Sequence, residues 1–423
     1  MAVDVGVFLP MLHADGEGEG QAPEFAAAAR RAEELGFESV WASDHLTGHA
    51  PMLDATVTLA TAAAVTTRIR LGHGVLTLPV HQVALLAKQL ASLEFLSRRR
   101  LLVGVDAGGS AWAQWRGGVV DTPVWAATGV PYEERDERTD RALEQLRSLL
   151  LGYPTQIGDA ELRLRPGVGW SPFLIGGESE ADLRRAIRHG GWFPNLVSPA
   201  YLARMIPRLS ALAAETYDTA PWVSVAVPAT LDAPGTGERR GSTAGGVAHR
   251  YGIDAERAAA MLVEGTPQRA AEKLVEFARA GADRIVLSFP DTDWRTQYDL
   301  AARAMASARA VLPVRRTATV REQTSCGSGW ARVTLDVERA TGAYAFINPL
   351  GADALPADLA EALEEGVREG LAGQDRAVRV RRAWVQEVDA HPGVFREAGR
   401  KAVTEALAAE RAESAERAEA AGR

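Results

Sequence analysis

Between Val3 and Leu312 a short apolar run gives way eight times to a segment of helical periodicity, and this rhythm limits the possible folds more than any other feature. Val3–Leu9, Val40–Trp41, Ile69–Leu76, Leu101–Val105, Pro172–Ile175, Trp192–Val197, Trp222–Pro228 and Arg284–Phe289 read as strands. Helices are expected over Pro23–Leu35, Asp54–Thr66, Val83–Leu96, Tyr132–Leu151, Glu180–Arg188, Pro199–Leu212 and Pro267–Ala280, with a last one ending near Leu312. Gly36 suits the left-handed position that closes the first helix. Eight such repeats predict an α/β fold, the (β/α)8 barrel. A Rossmann sheet is disfavoured, because no Gly-x-Gly-x-x-Gly follows the first strand. Two connections are longer than the rhythm needs: Gly108–Val130, which holds Trp112, Trp115 and Trp125, and the Gly-, Thr- and Ser-rich Asp232–Arg250. The first is aromatic enough to shape a pocket, since function concentrates on long loops.

At 423 residues the chain exceeds one barrel, and 47% apolar content supplies a core for it and for an appended module. The net charge of −8, with both signs interspersed, speaks against general nucleic-acid binding. Asp4 lies inside the first apolar run and no basic segment precedes it, so a signal peptide is not expected. The weakly polar stretch Ala55–Thr67 is too short to cross a bilayer. A cytoplasmic location follows as an expectation, and the single cysteine, Cys326, suits it. Without a His-Glu-x-x-His or paired cysteines, no metal site is expected.

The stretch Gly36-Phe-Glu-Ser-Val-Trp-Ala-Ser-Asp-His45 ends a strand in an acid and an imidazole, where parallel α/β folds place their chemistry. Asp44 and His45 are therefore the candidate catalytic pair. The plainer alternative is that Asp44 caps the next helix and His45 packs on a loop. Glycines opening a helix at Gly176-Gly177-Glu178-Ser179 admit an anion to its amides, or make a tight strand-to-helix turn. His73 and His81 read as structural.

Several motifs resemble those of the bacterial luciferase-like family, in the family's order. They are Gly36–Leu46, Thr67–Pro79, Leu85-Leu-Ala-Lys-Gln89, Gly129-Val-Pro-Tyr-Glu-Glu-Arg135, Pro172–Ser179, Gly265-Thr-Pro-Gln268 and Ala280–Leu287. The resemblance covers residues 1 to about 311. It implies a barrel that holds reduced coenzyme F420, or alternatively FMN, at the C-terminal mouth of the strands. It also implies a non-proline cis peptide near Gly74–Val75, ring contact from Gly74, Val75 and Leu76, and phosphate binding around Gly176, Gly177, Glu178 and Ser179. The Ser-Asp-His ending of the second strand is similar to F420-using members. Asp44 accepting from one imidazole nitrogen of His45 would fix its tautomer and leave the other to donate to a substrate atom or a peroxide. Asp106 departs from the family's glycine, and a carboxylate there repels a cofactor phosphate or contacts a ring edge.

Beyond a linker expected over 313–328, residues 329–410 read as a small α+β module, followed by a charged, fraying helical tail over 411–423. Arg321–Val333, Ala352-Asp-Ala-Leu-Pro356 and Glu364–Leu371 resemble domain IV of elongation factor G, which implies a ribosomal-protein-like sheet backed by two helices. No nucleotide-binding Gly-x-x-x-x-Gly-Lys-Ser/Thr loop accompanies it, and the tip loop Glu387–Pro392 is a weak version of that family's. Two functions stay open: an F420- or FMN-dependent oxidoreductase acting on a small-molecule or peptide substrate, and a silent barrel serving as a scaffold. Self-association and partner docking through the module are compatible with either.

Overall fold

The computed structural model describes residues 3–10, 24–46, 53–108, 122–169, 172–216, 220–232, 244–289, 293–324, 327–338, 343–350, 352, 355–385 and 390–421. Trp112, Trp115 and Cys326, most of Asp232–Arg250 and the first residues of the Glu387–Pro392 loop lie outside them. The chain divides into two compact units: Asp4–Ala203 with Pro221–Ser307, and Met1–Val3 with Arg204–Ala220 and Ala308–Arg423.

The first unit is a closed barrel. Its strands are β1 (Asp4–Phe8), β2 (Ser39–Ala42), β3 (Arg70–Thr77), β4 (Leu101–Asp106), β5 (Phe173–Ile175), β6 (Gly190–Trp192), β7 (Trp222–Leu231) and β8 (Arg284–Ser288). Each pairs in parallel with its neighbours, and β6 pairs with β7 to close the ring. The helices that follow them are α1 (Phe25–Glu34), α2 (Ala55–Val65), α3 (Val83–Leu96), α4 (Arg135–Leu150), α5 (Glu180–His189), α6 (Pro199–Ala214), α7 (Pro267–Ala280) and α8 (Trp294–Val311). Local signals set their ends. In α7, Thr266 caps the first turn, Pro267 occupies a position that needs no N–H, and Gly281 ends the helix in the left-handed region.

The sixth strand begins two residues earlier than its apolar run suggests. Gly190 and Gly191 carry the pairing, because a side chain at Gly191 would overlap Leu174 on β5. Apolar content marks the residues just after the strand instead.

Bulk and charge fill the barrel interior. The Trp41 indole is fully buried, and its Nε1–H donates to Ser39 Oγ at 2.8 Å. Gly72 on β3 makes room for it, since a Cβ there would collide with the indole. At the N-terminal end of the strands, Arg284 pairs with Glu38 at 2.8 Å and donates to Ser224 Oγ at 3.1 Å.

The second unit contains a four-stranded sheet of β9 (Val314–Thr324), β10 (Gly327–Val337), β11 (Ala345–Ile347) and β12 (Ala377–Trp384), in the order β9-β10-β12-β11. Only the β11–β12 pairing is parallel. Helices α9 (Ala357–Leu371) and α10 (Pro392–Ala421) supply Leu363, Val367, Phe395 and Ala402 to a core shared with Val333, Leu335, Val378 and Val380. The expected linker over 313–328 is corrected: residues 314–324 form a strand paired along its length with β10. Polar residues disguised it, because Arg315 and Thr317 find partners across the ladder in Asp336 (2.6 Å) and Thr334 (2.7 Å). The tail is helical, as its composition suggested, and continues α10 to Ala421.

Close approach of α9 and α10 rests on glycine. A Cβ at Gly366 would overlap the Arg396 carbonyl. Gly366→Ala is expected to cost about 1–3 kcal/mol by overpacking, read as a lower urea midpoint for this unit, despite alanine's better helix propensity. An unchanged midpoint would show that the helices can separate freely.

Candidate active site

Strand β2 delivers Ser43, Asp44 and His45 to the open, C-terminal end of the barrel. Strand β3 ends at Thr77 and enters a single 3-10 turn, Leu78–Val80, closed by the His81 N–H on the Leu78 carbonyl. These neighbouring ends bring Asp44 Oδ2 to 2.8 Å from His81 Nε2, with 16% and 26% of the two side chains exposed. Burial alone would push the Asp44 carboxyl up. The hydrogen bond and charge of His81, with smaller contributions from His73 and His45, instead hold it below the usual carboxylate range. Where Asp44 was expected to orient His45, the imidazole on its Oδ2 belongs to His81, and the His45 side chain is exposed. His81, read as structural, thus stands in the site.

His73 lies deeper. Burial drives its pKa down to about 4, so the ring is neutral; Nε2 lies 3.1 Å from Thr56 Oγ1. Its Nδ1 has no partner of normal hydrogen-bond geometry among the described residues. After His73 the β3–β4 register slips, leaving Gly74 and Val75 between the pairs His73–Val103 and Leu76–Val105. The Gly74–Val75 peptide is cis, where the family resemblance places such a bond. Val75 and Phe8 pack on the buried cluster of Trp41, Leu102, Leu174 and Phe193 and are only partly buried themselves. An apolar ledge therefore lies toward the same C-terminal end of the strands as the Asp44–His81 pair.

Strand β4 contributes Asp106, level with Thr77. Loss of solvation pushes its carboxyl up to about 7, and the negative charges of Asp182 and Asp44 add to this against the Gly108 N–H, which donates to Oδ1 at 3.0 Å. Trp125 packs beside Gly108 and meets Tyr132 edge-on at 5.1 Å. Of the three tryptophans in the long connection, it is the one among the described residues.

At the end of β5, the turn Gly176–Ser179 enters α5. Gly177 has a φ of +93°, and its carbonyl accepts from Trp192 Nε1 at 2.9 Å. Ser179 spends its donors, expected to face an anion, on the helix cap. Its N–H and Oγ–H both go to Asp182 Oδ2, at 3.1 and 2.6 Å, and its Oγ accepts from the Asp182 N–H at 3.2 Å. This is a reciprocal capping box. The Ser-x-x-Asp spacing carries that signal in the sequence. Asp106 borders the same turn, its Cβ 3.1 Å from where a Cβ on Gly176 would lie.

The donor set fits one part of the implied cofactor and not another. Phe8 and Val75, with polar Asp44, His81 and Asp106 nearby, suit a flat ring with apolar faces and polar edges. The capped, acid-bordered turn does not suit a phosphate.

Residues 3–234 match the luciferase-like monooxygenase family, more than half of the 423 residues. The chain belongs to that family. An uncharacterised protein of Mycobacterium tuberculosis is 34% identical to this luciferase-like chain over 178 residues, 41% of this chain and 58% of that protein. The F420-dependent glucose-6-phosphate dehydrogenase of Kineococcus radiotolerans is 35% identical over 135 residues, 30% of this chain and 35% of that enzyme. Both matches thus span less than two thirds of the relative. The coenzyme F420-dependent tetrahydromethanopterin reductase of Methanopyrus kandleri shares the fold. It has a TM-score of 0.56 at 19% identity and is covered over 97% of its length by 71% of this chain.

Proposed function

We propose that this luciferase-like chain is an oxidoreductase that uses reduced coenzyme F420, with FMN as the alternative, to reduce or monooxygenate an organic small molecule. The observation that carries the reading is the Asp44–His81 pair at 2.8 Å, at the same open end of the barrel as the partly buried Phe8 and Val75. Its family supports redox chemistry, and the F420-dependent relative, 35% identical over the matched stretch, supports the deazaflavin over the flavin. When bound, such a cofactor supplies the electrons.

The chain's own residues bind, orient and move protons. Phe8, Gly74 and Val75 would hold the ring, whereas Leu76, expected to join them, is 1% exposed and packs in the core. Asp44, kept ionised, accepts from His81 Nε2 and so leaves Nδ1 as the nitrogen that exchanges a proton with a bound molecule. His45 stands beside the pair, and Asp106, with its raised pKa, is a second group able to donate near neutrality. The C-terminal unit, whose sequence resembles a translation-factor domain, is proposed as a docking element, since every group named here belongs to the barrel unit.

Titration of the purified chain with reduced F420 and with reduced FMN is the test. Binding of F420 at micromolar levels is expected. FMN binding without F420 binding would reverse the cofactor choice, and binding of neither would favour the scaffold reading over the enzyme.

A further inference from the structure

The family resemblance seats a cofactor phosphate on the turn after β5, and the side chains around that turn disagree. A phosphate site at a helix start needs unclaimed donors and an absence of competing negative charge. Here the Ser179 N–H and hydroxyl are both taken by Asp182, the Asp182 N–H is taken by Ser179 Oγ, and the Gly176 N–H is taken by the Val105 carbonyl at 2.8 Å.

Two carboxylates press on the same backbone. A Cβ on Gly177 would overlap Asp182 Oδ2, and the place of a Cβ on Gly176 lies 3.8 Å from Asp106 Oδ2. Little cationic charge is left to offset them. Arg185, which meets Asp182 at 3.0 Å, also meets Asp136 at 2.9 Å and Asp140 at 2.6 Å, so one guanidinium is shared by three acids.

We propose that the Gly176–Ser179 turn does not seat a phosphate, and that Asp106 and Asp182 make it discriminate against anionic tails, so a phosphorylated flavin-type cofactor gains no affinity over its phosphate-free form. Asp106 is the specificity-determining residue in this arrangement. It stands where the family's pattern has glycine and reaches the turn without taking part in the cap, whereas Asp182 is committed to holding the helix start. The inference rests on the mouth being a flavin-type seat, but concerns the tail rather than the ring.

Dissociation constants for riboflavin and FMN, and for F420 and its phosphate-free deazaflavin chromophore, measured by fluorescence on the full chain, test it. Within each pair the phosphorylated form is expected to bind no tighter than the other. At about pH 9, where the Asp106 carboxyl is ionised, Asp106→Asn, which keeps the side chain's shape and its acceptor for Gly108, is expected to strengthen FMN binding about tenfold relative to riboflavin by removing a charge at close range. The unaltered chain gives a second readout that does not depend on a variant folding. Raising the ionic strength from about 0.02 to about 0.5 M should strengthen FMN relative to riboflavin, because salt screens repulsion. An FMN preference of about tenfold or more in the unaltered chain, weakening as salt is added, would overturn the inference and leave the flavin-type seat standing. Failure of all four compounds to bind would remove the seat itself, and the inference with it.

Discussion

Asp44→Asn is expected to lower turnover by about 10²–10⁴-fold with cofactor affinity nearly unchanged, the range for losing a positioned proton-transfer group. The carboxylate is held ionised mainly by His81, and its contact at 2.8 Å fixes which imidazole nitrogen faces a bound molecule. Asparagine keeps the shape but presents either an amide N–H or a weaker acceptor to Nε2, so the favoured tautomer is lost. His81→Ala should reproduce most of the defect and shift the pH dependence of turnover, which a merely structural histidine would not do. His45→Ala is the comparison that decides the assignment. If it alone reproduces the Asp44→Asn loss while His81→Ala keeps near-normal turnover, the imidazole has been assigned wrongly.

Arg284→Ala is expected to destabilise the barrel by about 3–5 kcal/mol, measured as a fall in unfolding free energy in urea. Most of that cost does not come from losing an attraction. Burial pushes the Glu38 carboxyl up, and Arg284 is the largest of the groups that bring it down again. Without the guanidinium, Glu38 is left largely enclosed and facing only Arg70, at 3.6 Å, among its described ion-pair partners. The pH dependence has a definite sign. A carboxyl lowered on folding contributes stability above its unfolded value and loses it as the pH falls through the folded value. The difference between the native chain and Arg284→Ala should therefore be fully present at neutral pH and narrow on acidification. Replacing both partners, Glu38→Leu with Arg284→Met, should recover much of the loss, because two well-packed apolar groups need no compensation. A double variant as unstable as Arg284→Ala would show that packing against Trp41, 5.9 Å from the guanidinium, dominates instead.

Much of the barrel was legible along the chain because its signals are local. Apolar runs, Thr266-Pro267 at a helix start and Gly281 at its end act within a few residues, so their meaning survives without coordinates. Strand β6 was displaced because two glycines carry no hydrophobic signal, although their lack of a side chain is what lets β5 approach. Strand β9 was missed because its second face is polar, and only pairing with Asp336 and Thr334 makes that face compatible with a sheet.

At the mouth the division runs between which residues are present and which of them meet. The sequence alone determined that Asp44 and His45 end a strand, that Gly74–Val75 belongs to a family motif, and that an acid replaces glycine at residue 106, since these follow from order and local chemistry. Tertiary structure alone decided that Asp44 bonds an imidazole 37 residues away and that Asp106 borders the turn capped by Asp182. Those encounters depend on the register between parallel strands, which is set by packing across the whole ring. A shift of one residue would exchange the side chains facing inward, and no local pattern records that choice.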